Sequence, residues 1–324
     1  MTTIEAELET ARQEFNQLQR ALEATIVGQQ QLIHELLVAV FAGGHVLLEG
    51  LPGLGKTHLA KALSASMGMN LGRIQGTPDL MPADITGSEI LLRSGAGDQQ
   101  FEFRQGPIFS NMVLVDEINR ATPKTQAALL EAMQESQVTQ AGQCHRLLSP
   151  FWVLATQNPI EIEGTYPLPE AQLDRFLAKI NINYPDADAL LKMIDISLDD
   201  EPADHINTII QPERVQQIMA LIQQLVIATP LKQAAVDLVL ATHPSPTGKH
   251  FRYGASPRGL QALLRMARVH AFTQGRAHVA LEDIHQAALP ALRHRVLLTI
   301  ESELDGIDIE NVLTGLLKQW EQQL

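Results

Sequence analysis

The clearest chemical signal in the 324-residue chain is Gly50-Leu51-Pro52-Gly53-Leu54-Gly55-Lys56-Thr57, which has the spacing G-x-x-x-x-G-K-[ST]. Between a strand and a helix, such a loop cradles phosphates. Its glycines let backbone N–H groups converge on phosphate oxygens at the helix N-terminus, Lys56 reaches the β and γ phosphates, and the Thr57 hydroxyl suits magnesium. Further on, Met112-Val113-Leu114-Val115-Asp116-Glu117 is an apolar run ending in two carboxylates. That order sets Asp116 beside the metal and Glu117 beside the γ phosphate, as general base or water-orienting group for hydrolysis. Ala155-Thr156-Gln157-Asn158-Pro159 leaves polar side chains at the carboxyl edge of a sheet, where open α/β sheets bind ligands, and Asn158 can hydrogen-bond water or phosphate. Two arginines could stabilise charge on a transferred phosphoryl group. They are Arg175, in Leu173-Asp174-Arg175-Phe176, and Arg258, which follows Ser256-Pro257.

These groups need elements to hold them. Ile4, Leu8, Ala11, Phe15, Leu18 and Leu22 recur at intervals of three and four and describe one stripe of a helix. A second helix over 30–41 ends at Gly43-Gly44, and 45–49 is a short apolar run of the kind that forms a buried parallel strand leading into the glycine loop. A helix over 56–67 and strands at 71–75 and 112–115 follow. Thr122-Pro123 caps a helix to about 135, strands 137–140 and 145–148 flank Ala141-Gly142 as a hairpin, and buried strands occupy 151–155 and 178–183. The reading is an α/β fold with five parallel strands flanked by helices. Tyr184-Pro185-Asp186 breaks the pattern, and only helical periods follow. The expected organisation is a nucleotide-binding domain over 1–184 and an all-α domain over 185–324.

Composition narrows the class. Hydrophobic residues are 45% and charged residues 19%, the balance of a folded chain and not of a disordered one. A net charge of −13 argues against bulk attraction to nucleic acid, so none is expected as a partner. A single cysteine, Cys144, excludes an internal disulfide and fits a reducing compartment, and the segment 1–14 has the wrong charge for a secretory leader, so the cytoplasm is the expected location. No apolar stretch is long enough for a membrane span. Within this acidic chain, 238–281 holds no acidic residue but has Lys249, Arg252, Arg258, Arg265, Arg268 and Arg276. On a helix starting at Pro257, Arg258, Arg265 and Arg268 share a sector of about 80°. That face could turn toward the nucleotide, toward a neighbouring subunit's acidic surface, or simply toward solvent. The 11 histidines lack metal-ligand spacing and read as ordinary surface or core residues.

Together these residues resemble the AAA+ ATPases, and within them the MoxR group, over nearly the whole chain. Most particular are Thr77-Pro78-Asp79-Leu80-Met81-Pro82-Ala83-Asp84-Ile85-Thr86-Gly87 and Asp116-Glu117-Ile118-Asn119-Arg120-Ala121. The resemblance implies an AAA+ P-loop core with hairpin insertions and a helical lid, binding ATP or ADP with Mg2+. It implies that Val27, Gly28 and Gln29 of Ile26-Val27-Gly28-Gln29 lie against the adenine. Pro52, Gly53, Leu54, Gly55, Lys56, Thr57, His58 and Asp116 would complete the nucleotide site, with Thr57 and Asp116 at the metal. Asn158 is then sensor 1, Arg175 the arginine finger and Arg258 sensor 2, acting in cis or in trans. The segments 89–93 and 101–104 look like the insertion in helix 2, and 137–148 like the hairpin before sensor 1, both turned toward the pore or client in relatives. A sheet extension is the plainer reading of the second. Gly76 stands where relatives usually carry a bulky residue, and His58 where an apolar one is commoner. The implied protein is a ring, a hexamer, remodelling or maturing protein complexes with a von Willebrand factor A domain partner. A nucleic-acid motor or loader and a slow nucleotide switch are the competing classes.

Overall fold

The structure, a computed structural model, describes residues 3–93, 99–140, 142–160, 164–199, 207–245 and 249–322. The chain opens with α1 (Thr3–Thr25) and α2 (Gln30–Phe41), then β1 (Val46–Gly50), α3 (Lys56–Ser66) and β2 (Leu71–Gln75). A short α4 (Pro82–Thr86) leads to β3 (Gly87–Arg93) and β4 (Gln99–Gln105), followed by β5 (Met112–Asp116) and α5 (Pro123–Glu135). β6 (Gln137–Gln140), β7 (Gln143–Arg146), β8 (Trp152–Gln157), α6 (Glu170–Leu173) and β9 (Ala178–Ile182) complete the α/β part. The five expected parallel strands form one sheet in the order β2-β5-β8-β1-β9.

Helices cover both faces of this sheet, which is why its central strands are unbroken apolar runs. Alternation then sends neighbouring residues to different cores. Val46, Leu48, Met112, Leu114, Trp152 and Leu154 join the core under the first three helices. Leu47, Val113, Val115, Val153 and Ala155 join a second one with Leu129, Leu130 and Met133 of α5. The stripe on α1 is fully buried from Ala11 to Leu22 at the expected positions. Its Phe15 packs edge-on against Phe41 and Phe272, with ring centroids 5.1 and 5.9 Å away.

Beyond β9 come α7 (Ala187–Asp199), α8 (Pro212–Gln223), α9 (Thr229–Ala241), β10 (Phe251–Tyr253), α10 (Pro257–Thr273) and α11 (Leu281–Leu292). β11 (Leu297–Leu298), α12 (Ile300–Leu304) and α13 (Ile309–Gln322) end the described chain. The expectation of an all-α second part needs one correction, because β10 and β11 pair antiparallel. Strands of three and two residues are too short to show a period of two.

Both expected hairpins are present. β3 pairs with β4, while 94–98 lies outside the described residues. β7 starts two residues before the expected position, since the chain turns back through Gly142 at φ 79° and pairs Gln140 with Gln143. The hairpins touch: the Phe103 and His145 rings stack with centroids 4.2 Å apart. Among the described residues no helix is long and apolar enough to cross a membrane.

Candidate functional site

β1 delivers the chain to the glycine loop at the carboxyl edge of the sheet. Gly53 and Gly55 adopt φ 81° and 75°, and a Cβ on either would meet open space. These positions need glycine for the sign of φ, not for room. α3 begins at Lys56, so its unpaired N–H groups face the loop. Lys56 Nζ donates to Gly50 O at 2.5 Å.

The two carboxylates at the end of β5 are held differently. Asp116 is buried, and its Oδ2 accepts from Thr57 Oγ1 at 3.4 Å and from Arg73 Nε at 3.0 Å. Glu117 leaves the strand in the left-handed region, φ 54° and ψ 54°, which few non-glycine residues adopt. Its N–H donates to Thr156 Oγ1 at 2.9 Å, and its Oε2 accepts from Gln75 Nε2 at 3.2 Å and Arg120 Nη1 at 3.1 Å. Gly76, the departure from the usual pattern, packs on this strained peptide: a Cβ there would collide with the Glu117 carbonyl oxygen. Asn158 is buried just past the Glu49–Gln157 pair that aligns β1 with β8, and its Oδ1 accepts from Ile160 N at 3.2 Å. Glycine loop, Asp116, Glu117 and Asn158 therefore share one edge.

Beside the loop opens a cavity of about 280 Å³. Val27, Gln29, Gly53, Leu54, Gly55 and His58, all expected at the nucleotide, line it, and Tyr184, Pro185, Leu190 and Met193 form a facing wall. A largely apolar slot next to a phosphate loop suits a flat base. Gly28 is not in this lining. It has φ 76°, and α7 lies so close that a Cβ at Gly28 would overlap the Ala189 Cβ. Gln29 is buried and its amide donates to Asn183 O at 3.3 Å. Pro52 is exposed on the outer turn of the loop, outside the slot.

Arg175 and Arg258 lie at the other edge. β1 and β9 run parallel from Val46–Ala178 to Gly50–Ile182, and Leu177 N donates to His45 O at 2.8 Å. Arg175 precedes β9 and so sits at the amino edge, a full strand, about 13 Å or more, from the loop. Its Nη1 donates to Leu130 O at 2.7 Å. Arg258 Nη1 stands 4.0 Å from Asp174 Oδ2. Both arginines line a cavity of about 270 Å³ with Arg265 and Arg295. Of the basic run at 238–281, then, Arg258 and Arg265 reach this cavity. Arg276 turns away and binds Asp283 through two hydrogen bonds of 2.6 Å, and Arg252 lies 5.4 Å from the Tyr253 ring centre. Arg268 is half-buried and is not among the residues lining this cavity.

Sequence reading missed three features. Arg73 and Gln75 alternate outward on β2 and grip the two carboxylates. Polar residues two apart on a strand beside the Asp116 strand were the available signal. The wall on α7 and the buried Arg295 left none, because α7 packs on, and Arg295 clamps, segments over a hundred positions away in sequence. Among the described residues no group of three or more His, Cys, Asp or Glu side chains is placed to hold a metal ion. Burial holds His270 neutral, its pKa pushed down to about 3 with help from nearby His34, and likewise lowers that of His294 well below the usual imidazole value.

A strand, a phosphate loop and two strand-tip carboxylates on one edge, with a helical unit against the sheet, define an AAA-type P-loop nucleotide-binding protein. Residues 45–178 match the family model described as the ATPase family associated with various cellular activities (AAA), and 247–314 match the AAA lid domain. Chaperone MoxR1 of Mycobacterium tuberculosis is 40% identical, over 94% of this chain and 82% of its own. Protein MoxR of Paracoccus denitrificans is 32% identical over 88% and 89%, and YeaC of Bacillus subtilis, uncharacterized, is 41% identical over 91% of each. A crystal structure of a candidate ATPase from Cytophaga hutchinsonii superposes with a TM-score of 0.89 at 38% identity, covering 97% of this chain and 96% of that one. The chain belongs to the MoxR family of AAA+ ATPases.

Proposed function

We propose that this protein hydrolyses ATP at the interfaces of a ring of identical subunits, a hexamer, and uses the cycle to remodel or mature protein complexes. The supporting observation is the division of the machinery between opposite edges of the sheet: loop, carboxylates and Asn158 on one, Arg175 and Arg258 on the other. A subunit whose arginines lie behind its own sheet depends on a neighbour's, and head-to-tail contacts of this kind close into rings.

Within one site the roles divide as follows. The slot over 25–29 takes the base against Tyr184 and α7, the loop takes the phosphates, and Lys56 leaves Gly50 O for the β and γ phosphates. Thr57 and Asp116 offer a hydroxyl and a carboxylate at the N-terminus of a helix, hard oxygen donors that suit magnesium. Magnesium, when bound there, neutralises charge on the phosphate oxygens. Glu117 accepts a proton from the attacking water, with Gln75 and Arg120 holding its carboxylate and Asn158 orienting the water. Arg175 and Arg258 of the neighbour act in trans on the charge developing at the γ phosphate. In this reading 1–184 is the nucleotide domain and 185–324 the lid, acting in the cytoplasm on a protein client with a von Willebrand factor A domain partner. The relative named as a chaperone supports a protein client over nucleic acid.

Subunit mixing tests the reading. Glu117→Gln and Arg175→Ala should each lower turnover about a thousandfold alone, the scale of a lost trans arginine. Mixed in equal amounts, about a quarter of interfaces combine an intact site with an intact donor, and turnover should return in proportion. No recovery would overturn the division of labour across subunits.

A further inference from the structure

We infer that Asp174, gripped by Arg295 and Ser256, is a positioning residue that holds Arg175 and Arg258 together as one phosphate-directed unit. The inference rests on the trans reading above. Asp174 caps α6 and immediately precedes Arg175. Its Oδ1 accepts from Arg295 Nε at 2.8 Å and from Ser256 Oγ at 2.7 Å, while its Oδ2 faces Arg258 Nη1 at 4.0 Å. Ser256 is the N-cap of α10, with its Oγ also accepting from Gly259 N at 3.3 Å, and Arg258 sits in the first turn of that helix. One carboxylate thus touches the segment before the first arginine and the cap before the second.

Arg295 completes the clamp. Its side chain is only 2% exposed, and it donates to Leu177 O at 2.9 Å, to Asp174 O at 3.1 Å, and to the carbonyls of Phe176 and Ala291. A residue following α11 therefore fixes the backbone on both sides of Arg175. Gly259 permits the close approach, since a Cβ there would lie 2.9 Å from Arg295 Cδ.

The arrangement has an electrostatic reason. Arg175, Arg258, Arg265 and Arg295 line one cavity of about 270 Å³, in which Asp174 is the only carboxylate among the described residues. Without it the guanidinium groups would repel and spread. With it, Arg258 is steered but not captured, because a gap of 4.0 Å leaves its hydrogen-bond donors available to a neighbour's phosphate. The clamp also joins the α/β part to the helical part, so a change in their relative angle would move both arginines together.

The experiment compares Asp174→Ala and Ser256→Ala in the full-length protein. A 1 Å misplacement of a catalytic group costs about 100-fold in rate. Asp174→Ala should lower kcat by about that factor and Ser256→Ala by about tenfold, with KM for ATP within about twofold, because each subunit's own loop and slot hold the nucleotide. Mixing separates positioning from general damage. Asp174→Ala with Glu117→Gln should regain turnover, since the first subunit keeps its site and the second keeps its arginines. Asp174→Ala with Arg175→Ala should regain none, as both lack a working donor. Recovery in the second mixture, or none in the first while Arg175→Ala with Glu117→Gln recovers, overturns the clamp. If that last control also stays inactive, the trans reading falls and the clamp with it. Should Asp174→Ala fail to assemble by sedimentation with ATP, the Ser256→Ala mixtures decide by the same criteria.

Discussion

Gly28 offers a test in which stability and nucleotide affinity should separate. Alanine at this position meets two obstacles. Its backbone has φ 76°, where an L-residue costs about 1–2 kcal/mol relative to glycine. Its Cβ would also come within 3.0 Å of the Ala189 Cβ, and relieving such overpacking costs about 1–3 kcal/mol. Gly28→Ala should therefore destabilise by about 2–5 kcal/mol in urea unfolding. To make room α7 must retreat by about an ångström, carrying Leu190 and Met193 away from the slot that faces Val27 and Leu54. A gap of that size forfeits about a quarter to a half of each contact, and titration with a fluorescent ATP analogue should show affinity about tenfold lower. Adding Ala189→Gly removes the obstructing methyl but not the strained φ. The nearest atom of residue 189 is then its Cα at 3.6 Å, an ordinary contact. The double variant should recover affinity to within about twofold while staying at least about 1 kcal/mol less stable than the parent, from φ strain and a helical glycine. If Gly28→Ala binds the analogue normally, or the second change restores stability but not affinity, α7 is not the wall of the base site.

Two further outcomes follow from the lid. Asp283 is fully buried, accepts two 2.6 Å bonds from Arg276 and caps α11 through Ala280 N at 2.7 Å. Asp283→Ala should cost about 3 kcal/mol, from the broken pair and the lost cap, yet leave ATP turnover per folded subunit unchanged below the melting transition. Loss of turnover would place Arg276 in the nucleotide machinery. His270 titrates at about 3 in the fold against 6.5 when exposed. As its folded pKa is the lower, the unfolded chain takes up the proton first, and stability present above 6.5 is lost as pH falls toward about 3, by at most ~1.4 kcal/mol per pH unit. His270→Phe should flatten this acid limb in urea midpoints measured from pH 7 to 4.5. An unaltered limb would mean His270 is not the residue responsible.

What could be read from the sequence was local. The glycine loop, β5 with its two acids and the stripe on α1 are strings in which neighbours in sequence are neighbours in chemistry, and each appears where its pattern predicts. The same holds for the hairpins, except that the Gln140–Gln143 pair brings β7 forward by two residues. Arg276 shows the limit. It belongs to a run without acidic residues, yet Asp283, seven positions on and just past that run, takes its charge. Counting charge along a segment cannot reveal a partner beyond its end. β10 and β11 escaped for a related reason: their pairing is nonlocal and too short to leave a period.

The same limit of local sequence applies to the arginines. As residue types, Arg175 and Arg258 are natural partners for a phosphate, and motif spacing puts them in the same protein as Lys56 and Glu117 without saying on which side of the sheet. That is decided by register. Because β1 and β9 are parallel, the residue before β9 and the loop after β1 must lie at opposite edges, whatever their side chains prefer. The consequence is physical: an arginine fixed by Leu130 O on one side and by the Asp174 clamp on the other cannot swing across a strand's length to its own loop. The dependence on a neighbour proposed above would follow from this topology, and the buried Arg295, silent in sequence, holds the backbone on both sides of Arg175.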